Sequence, residues 1–275
     1  MRIAIIGAGP AGLAAAKKAS KENDIVVFDG NNDAGKKLLL TGSGRCNIGN
    51  VNNDLSKYHS SNKELIKKII NDKNFDKVNN FFKEIGLVLK DKNGYLYPYS
   101  EKSSSVLSCL KNSLDVDFRF NTYVENIKRK DNKFIINGEV FDKVIITTGG
   151  LSYPKTGSTG EGFHLAKAFG HKVTNLNPSL MALETNTGLE KEWSGTRCEV
   201  NVSSYIVGRK IKEEHGELQL TSFGLSGICI FNLSRDIRLA LNEEKSCEVR
   251  INFCPWTDDL SKYMEENKDK YLTNI

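Results

Sequence analysis

Long apolar runs are missing from this 275-residue sequence. A membrane span needs about 20 consecutive apolar residues. The longest apolar-leaning stretch, residues 223–233, is shorter and contains serine and glycine. The start of the sequence does not have the layout of a signal peptide, because a strand-like pattern begins at once. We therefore expect no membrane span and no membrane partner, and we predict a cytoplasmic location.

Metal-binding and disulfide patterns are also scarce. The sequence has only four histidines and six cysteines, and no two cysteines form a C-x-x-C pair. This spacing predicts no metal site, and dispersed thiols are typical of a reducing compartment. We interpret each cysteine as a small apolar packing residue. The six are Cys46, Cys109, Cys198, Cys229, Cys247 and Cys254.

Charge of one sign is not concentrated anywhere in the sequence. The 39 lysines and arginines outnumber the 34 acidic residues only slightly, which gives a net charge of +5, and the lysines are scattered among acids. Such a mixture is typical of a solvated surface rather than of a nucleic-acid-binding patch. We therefore expect no nucleic-acid partner.

The first 29 residues, in contrast, carry a dense pattern of strand, tight turn, helix and strand. Gly7, Gly9 and Gly12 form G-x-G-x-x-G between the first predicted strand and helix. These glycines allow a tight turn, close approach of a pyrophosphate and close helix–strand packing, respectively. Free N–H groups at the helix start favour phosphate, and Asp29 ends the second strand, where an acid can bind a ribose diol. The pattern predicts a dinucleotide site.

The glycine turn alone does not distinguish FAD from NAD. Residues 144–150, VIITTGG, are predicted to form a buried strand that returns beside the first one, so that its Thr-Gly-Gly turn reaches the nucleotide crevice. The sequence contains only one G-x-G-x-x-G. If FAD fills it, no second dinucleotide domain remains for NAD(P)H, and the rest of the chain favours FAD.

Residues 30–50 are rich in glycine and asparagine and are predicted to be an extended loop. Gly42 and Gly44 allow close backbone approach, and Arg45 offers a planar donor fork. Such a loop suits a flavin ring edge or ribityl chain; the alternative is a polar surface loop. Cys46 has no second cysteine nearby, which argues against disulfide-reductase chemistry.

Two further stretches are glycine-rich. Residues 149–171 lead into a predicted helix, and Tyr153, Lys155 and His164 are the plausible proton donors there; the alternative is a structural or solvent-exposed role for each. Residues 221–235 are predicted to be a turn that packs two domains, with a lid over a substrate cleft as the alternative.

The chain is predicted to have two domains and the start of a third segment. Residues 1–177 form the nucleotide-binding domain, with a helical and hairpin insertion at about 52–115. In that insertion we predict two helices broken near residues 71–74 and a hairpin that turns at residues 93–94. Residues 123–129, YVENIKR, are predicted to form a short strand. Residues 178–256 are predicted to be β-rich, and residues 257–275 to begin a helical segment.

Four blocks together resemble one family of bacterial and archaeal flavoproteins. They are IIGAGPAGLAAA, GKKLLLTGSGRCNIGN, IITTGGLSYPKTGSTGEGFHLAKAFGH with NPSL, and FGLSGICIFNLSR. The family is known as YhiN-like or BaiN-like and is also labelled aminoacetone oxidase family FAD-binding enzyme. The GSGRCN and GGLSYPKTGSTGEG blocks are specific to it, whereas the first glycine turn is not. The resemblance covers the whole chain.

This resemblance implies an α/β fold, a Rossmann-type FAD-binding domain with an inserted β-rich domain. It also implies flavin redox chemistry, in some members on carbon–carbon double bonds of steroid-type substrates. By resemblance, Val124 contacts adenine through its backbone. The other FAD-contacting positions implied are Gly7, Gly9, Pro10, Ala11, Gly12 and Asp29 for the ADP half, Lys37, Gly44, Arg45, Cys46 and Asn47 on the flavin side, and Thr148, Gly149 and Gly150 at the crevice.

The sequence departs from the family at its end. Members resume after the insert with a segment that covers the flavin, and we find no such segment here. The resemblance therefore leads us to expect a truncated chain whose flavin site is completed by that segment or by a second chain.

Three functions remain open. The leading one is hydride transfer through FAD from NAD(P)H to an electron-poor double bond of a small molecule, with Tyr153 or Lys155 as proton donor. The alternatives are an FAD-dependent oxidase of a small amine or aminoketone, and a nucleotide-binding module without turnover. A flavin-dependent RNA-modifying enzyme is a weaker rival, because no basic stripe is present.

Overall fold

The structure is a computed structural model that describes residues 1–52, 54–60, 62–257 and 259–268. The chain divides into two compact units, unit 1 (Met1–Val173) and unit 2 (Thr174–Ile275). The division falls slightly before Pro178, near which the sequence places a domain boundary.

Unit 1 contains ten strands and six α-helices among the described residues. The strands are β1 (Arg2–Ile6), β2 (Asp24–Phe28), β3 (Gly49–Asn50), β4 (Leu89–Lys92), β5 (Tyr95–Pro98), β6 (Asp117–Arg119), β7 (Lys128–Lys130), β8 (Lys133–Ile136), β9 (Glu139–Phe141) and β10 (Lys143–Ile146). The helices are α1 (Pro10–Ala19), α2 (Lys36–Leu40), α3 (Lys63–Ile69), α4 (Asp72–Glu84), α5 (Ser103–Asn112) and α6 (Glu161–Ala168). Short 3-10 turns span Thr41–Gly44, Leu55–Lys57 and Pro154–Thr156.

The central element of unit 1 is a four-stranded sheet in the order β10-β1-β2-β6. All three pairs of neighbouring strands are parallel. Two small antiparallel sheets, β3-β5-β4 and β7-β8-β9, accompany it. This arrangement confirms the predicted α/β class and the Rossmann-type order in which the strand after residue 142 returns beside β1.

Both faces of β1 and β2 are covered, which explains their uninterrupted apolar sequences. Because successive strand residues point to opposite faces, each strand contributes to two apolar clusters. Ile3, Ile5, Ile25 and Val27 pack in one cluster with Leu13 and Ala16 of α1 and with Val106, Leu107 and Leu110 of α5. Ala4, Ile6, Val26 and Phe28 pack in the other with Val124, Ile136, Phe141 and Leu165.

The predicted insertion has the expected helices and hairpin. Helices α3 and α4 are separate, and the Asn71 side chain caps α4 by accepting a hydrogen bond from the Asn74 N–H. The β4–β5 hairpin turns at Asn93 and Gly94, whose φ angles of 55° and 86° are the left-handed values that a two-residue hairpin turn requires.

The predicted extended loop over residues 30–50 is wrong in part. Lys36–Leu40 is helical, and Thr41–Gly44 is a 3-10 turn. Leu38 explains the helix, because its buried side chain packs in the same cluster as Leu107 of α5. The glycine and asparagine composition concealed this single apolar anchor.

Two strand predictions also need correction. A strand was predicted over residues 123–129, but β7 begins only at Lys128. Val124 and Ile127 are both buried in one cluster, and residues three apart do not share a strand face. Strand β10 ends at Ile146, before the predicted Thr-Gly-Gly turn, but it is only half-buried rather than buried, because it lies at the edge of the described sheet.

Unit 2 contains five strands and three helices among its described residues. They are β11 (Leu183–Glu184), β12 (Arg197–Ile206), β13 (Arg209–Thr221), β14 (Gly224–Ser226) and β15 (Cys247–Asn252), with α7 (Glu190–Trp193), α8 (Ile228–Asn242) and α9 (Leu260–Glu266). The strands form one antiparallel sheet in the order β11-β14-β13-β12-β15. Residues 269–275, part of the predicted terminal helix, lie outside the described residues.

The prediction of a packing turn or lid over residues 221–235 is wrong for its second half. Gly227 is the N-cap of α8, and the helix follows it directly. Cys229, Ile230, Leu233 and Ile237 recur at helical spacing and are buried in the core of unit 2. The glycine and serine signals thus mark the start of a helix rather than a longer loop.

Within the described ranges, no helix has the length and apolarity needed to cross a membrane. All six cysteines are free thiols, with Cys46 and Cys229 buried and the rest half-buried.

Candidate functional site

A cavity of about 410 Å³ opens at the carboxyl ends of β1, β2 and β10. Ligands of doubly wound folds bind at this edge. The lining residues come from six segments of unit 1, within residues 6–11, 28–31, 35–37, 122–124, 146–149 and 156–161. The glycine turn, the end of β2 and the end of β10 are thus brought together, as the opening pattern predicts.

The three glycines of the turn have different surroundings. Gly7 has a φ of 107°, and a Cβ there would lie 2.6 Å from the Thr147 carbonyl oxygen. A Cβ on Gly12 would lie 1.9 Å from the Gly7 carbonyl oxygen. A Cβ on Gly9 would meet no protein atom within 4 Å, and Gly9 lines the cavity. Gly7 and Gly12 therefore serve backbone packing, while Gly9 leaves space for a ligand.

Helix α1 presents its amino terminus at this space. It begins at Pro10, and its N-cap residue, Gly9, has no side chain that could accept from the first-turn N–H groups. Pro at the first helical position is favourable, because its missing N–H would have no partner inside the helix. The result is a site with free donors and partial positive charge that suits a phosphate.

Thr147 fastens the turn to β10. Its Oγ1 donates to the carbonyl oxygens of Ile6 and Gly7, at 3.0 and 2.9 Å. This residue was not singled out from the sequence. Its position directly before the Thr-Gly-Gly turn is the only sequence signal that could have indicated it.

Asp29 organises the end of β2. Its Oδ2 accepts from the Ala8 N–H at 2.7 Å, and its Oδ1 accepts from the Asn31 N–H at 2.8 Å and from Asn31 Nδ2 at 2.9 Å. A carboxylate offers about four acceptor positions. Asp29 lines the cavity and therefore keeps acceptor capacity for a ribose hydroxyl.

Replacing Asp29 with alanine tests this arrangement. We expect the free energy of unfolding to fall by about 2 kcal/mol, because the Ala8 and Asn31 donors lose a charged acceptor. Adenine-nucleotide binding should weaken as well. Thermal unfolding and titration with ADP are the measurements, with Asp24→Ala, at the exposed start of the same strand, as the control. A variant as stable as the parent chain would contradict the assignment.

The cavity lining combines cations and carboxylates. Lys36, Lys37, Asp29 and Glu161 all contribute to it. The Lys37 ammonium lies near the β10 turn, because an added Cβ on Gly149 would be 3.9 Å from Lys37 Nζ. Lysines on one wall and the start of α1 on another provide positive charge for a diphosphate.

Tyr123 and Glu161 meet across the cavity lining. The Tyr123 hydroxyl donates to Glu161 Oε1, and this hydrogen bond, with partial burial, raises the pKa of Tyr123 above its ordinary value. The phenol therefore stays protonated and donating at neutral pH.

The predicted cofactor residues fall into two groups. Those that line the cavity are Gly7, Gly9, Pro10, Ala11, Asp29, Lys37, Val124, Thr148 and Gly149. Those outside its lining are Gly12, Gly44, Arg45, Cys46, Asn47 and Gly150. Gly12 lies behind the turn, against Gly7.

The GSGRCN block, residues 42–47, follows α2 in sequence and does not line the cavity. Cys46 is buried in the core cluster, as the packing interpretation predicts. Arg45 is exposed; its Nε donates to the Gly42 carbonyl oxygen at 3.3 Å, and its guanidinium carbon is 6.0 Å from the Tyr97 ring centroid.

The candidate proton donors do not line this cavity. Tyr153 is 69% exposed and has a left-handed φ of 55°. Lys155 and His164 are exposed. The structure instead brings the side chains of Asn31, Tyr123, Ser158 and Glu161 to the lining. Their sequence signals are weak, since each is an ordinary polar residue near a glycine.

Comparison with known proteins agrees with the fold. Residues 1–240 match the family described as HI0933-like protein Rossmann domain. The chain is 33% identical over 264 residues to a 3-dehydro-bile acid delta(4,6)-reductase of Clostridium scindens, covering 92% of this chain and 64% of that protein. It is 29% identical over 247 residues to a ribosomal RNA dihydrouridine synthase of Haemophilus influenzae, covering 84% of this chain and 60% of that one.

Solved structures give a more distant likeness. A 3-ketosteroid-delta4-(5alpha)-dehydrogenase from Rhodococcus jostii aligns with a TM-score of 0.41 and 15% identity, covering 55% of this chain and 46% of that one. The chain spans 64% and 60% of the lengths of the two curated relatives named above. The family match, which covers residues 1–240, is independent of these distant structures. The chain thus belongs to the HI0933-like Rossmann-domain family, in agreement with the resemblance that its four sequence blocks carry.

Proposed function

We propose that this chain binds FAD and is part of an oxidoreductase that reduces an electron-poor carbon–carbon double bond. The observation that carries the proposal is the open space at Gly9, which faces the start of α1 in the same cavity as Asp29. A cavity of about 410 Å³ falls in the range of about 300–1,000 Å³ typical of small-molecule sites.

The residues present fit the ADP half of FAD. Asp29 would accept from the ribose hydroxyls, the start of α1 would face the pyrophosphate, and Lys36 and Lys37 would neutralise its charge. Val124 is buried at the cavity wall and offers apolar contact. By family resemblance, the flavin side would lie toward Lys37 and the GSGRCN block.

When bound, the flavin supplies the hydride-transfer chemistry, with NAD(P)H as transient reductant. This chain's residues hold and orient the dinucleotide. Tyr153 and Lys155 stay candidates for donating the proton that the reduced double bond requires. The relatives support this reaction class, since the C. scindens protein is named as a delta(4,6)-reductase.

Ribosomal RNA is the second candidate substrate. Dihydrouridine is uridine with its C5–C6 double bond reduced, and two relatives are named as ribosomal RNA dihydrouridine synthases. We favour a small molecule, because the identity to the bile-acid reductase is 33% against 29% and 26% for the RNA enzymes.

The first experiment is the absorbance spectrum of the purified chain, with any released cofactor identified, followed by titration with FAD. A flavin spectrum or saturable FAD binding is the expected result. A chain with neither a flavin spectrum nor saturable FAD binding would contradict the proposal. It would leave only the binding of a different nucleotide without turnover.

Turnover distinguishes the substrates. NAD(P)H oxidation under anaerobic conditions is followed with a 3-oxo-delta(4,6) bile acid and, separately, with unmodified ribosomal RNA. We expect turnover with the small molecule; turnover only with RNA would replace it. Peroxide formation from an amine without NAD(P)H would favour the oxidase. Tyr153→Phe and Lys155→Ala then test the proton donors, and unchanged turnover in either variant removes that residue.

A further inference from the structure

Residues 154–161, which we call the strap, comprise the 3-10 turn at Pro154–Thr156, the residues that follow it and the first residue of α6. Thr156, Gly157, Ser158 and Glu161 of the strap line the cavity. The function proposed above uses this segment only at Lys155, a candidate proton donor that does not line the cavity, although the segment contains most of a block that distinguishes the sequence. Its two ends are held by side chains from other parts of unit 1.

Asn31 holds the first end of the strap. Asn31 Nδ2 donates to Asp29 Oδ1 at 2.9 Å and to the Thr156 carbonyl oxygen at 3.2 Å. The strap packs closely at this point, since a Cβ on Gly157 would lie 2.5 Å from Asn31 Nδ2. One amide group therefore joins the ribose acceptor to the strap.

Tyr123 holds the second end. Its ring lies against Gly30, where an added Cβ would be 2.6 Å from the ring. Its hydroxyl donates to the Glu161 carboxylate, which also accepts from Thr159 Oγ1. Tyr123 thus connects the residue after Asp29 with the first turn of α6.

The two ties lie at the same part of the cavity. Asn31 contacts Asp29 directly, and Tyr123 packs on Gly30, the residue between them. The strap is therefore fastened beside the carboxylate that would bind a ribose. Its nearest ligand group would be the adenosine of a dinucleotide, rather than the reacting ring.

We propose that Asn31 and Tyr123 are positioning residues that hold the strap against the adenosine half of the bound nucleotide. The inference rests on the proposed function, because it requires a dinucleotide in this cavity. It assigns much of the GGLSYPKTGSTGEG block to nucleotide retention. The ligand class is an adenine nucleotide with an unsubstituted ribose, since the Asp29 and Glu161 carboxylates that line the cavity would repel a further phosphate.

Binding of ADP, FAD and FMN distinguishes a role in holding adenosine from a general effect on the structure of the site. We expect Asn31→Ala and Tyr123→Phe each to weaken ADP and FAD binding about tenfold, measured by calorimetry on the full chain. FMN has no adenosine, and its binding should change less than twofold. Tyr95→Phe, at an exposed tyrosine of β5 that is 50% exposed, is the matched control and should bind like the parent chain.

The double variant tests whether the strap acts as one unit. If both ties are needed to hold the strap, each single variant already releases it. The double variant, Asn31→Ala with Tyr123→Phe, should then weaken ADP binding by much less than the product of the two single effects, which is about 100-fold. Tyr123→Phe removes only one oxygen atom, so it keeps the test valid where Asn31→Ala lowers stability.

The outcomes are distinct. A parent chain that binds neither ADP nor FAD overturns the proposed function and the strap together. A parent chain that binds both, with variants that match Tyr95→Phe, overturns the strap alone. Equal weakening of ADP and FMN would show a general structural effect and would also overturn it.

Discussion

Gly12→Ala will unfold unit 1 at a markedly lower temperature than the parent chain. The new Cβ would lie 1.9 Å from the backbone carbonyl oxygen of Gly7, a contact that backbone atoms cannot avoid by a rotamer change. Such overpacking costs about 3 kcal/mol or more. The helix propensity of alanine returns only about 1 kcal/mol. The steric cost therefore exceeds the gain in helix propensity, and the variant is less stable than the parent chain.

Thermal unfolding is the measurement for Gly12→Ala. A loss of about 2 kcal/mol net corresponds to a decrease in Tm of roughly 4–8 °C in a chain of this size. Gly9→Ala is the matched control, since it makes the same chemical change in the same turn. A Tm for Gly12→Ala within 2 °C of the parent value would show that α1 and β1 are not packed as closely as described.

Gly9→Ala is expected to have the opposite effects: FAD binding weakens strongly, and the stability of the fold changes little. The φ of Gly9 is −75°, which alanine adopts readily, and the added Cβ would meet no protein atom within 4 Å. The stability loss should be at most about 1 kcal/mol, from the poorer N-cap. The Cβ would instead occupy space beside the start of α1 that a pyrophosphate needs. We expect FAD binding to weaken about 100-fold, or about 2.8 kcal/mol.

Titration with FAD and with ADP measures this loss. Both ligands contain the pyrophosphate, so both should weaken equally. Gly49→Ala serves as the control, because Gly49 lies in β3 outside the cavity lining and a Cβ there would come no closer than 4.0 Å to another residue. Unchanged FAD affinity in a folded Gly9→Ala protein would place the pyrophosphate elsewhere.

The sequence allowed prediction wherever a local pattern also determines the tertiary contact. The first strand, the glycine turn and Asp29 are close in sequence, and their spacing alone specifies how they meet. The Asn93-Gly94 turn is similar, because its backbone geometry requires left-handed residues.

Prediction failed where the local structure or the role of a residue depends on a single buried side chain or on a partner that is distant in sequence. Helix α2 depends on the burial of Leu38 against residues of α5, and no periodic pattern in the sequence indicates this helix. Asn31 and Tyr123 owe their roles to Thr156 and Glu161, more than 30 residues away in each case. Such pairings are not visible in one sequence, since the chain between the partners does not specify where they meet.

The contact between Gly7 and Thr147 also has a consequence for synthesis of the protein. The Thr147 carbonyl oxygen lies 2.6 Å from the position of an added Cβ on Gly7, and the Thr147 hydroxyl donates a hydrogen bond to the Gly7 carbonyl oxygen. The ribosome makes the glycine turn before the strand that completes it, which follows about 140 residues later, after roughly 7–30 s at ordinary elongation rates. A nascent chain therefore exposes β1 and an unfinished turn during this interval, and cofactor loading must wait until β10 has left the exit tunnel.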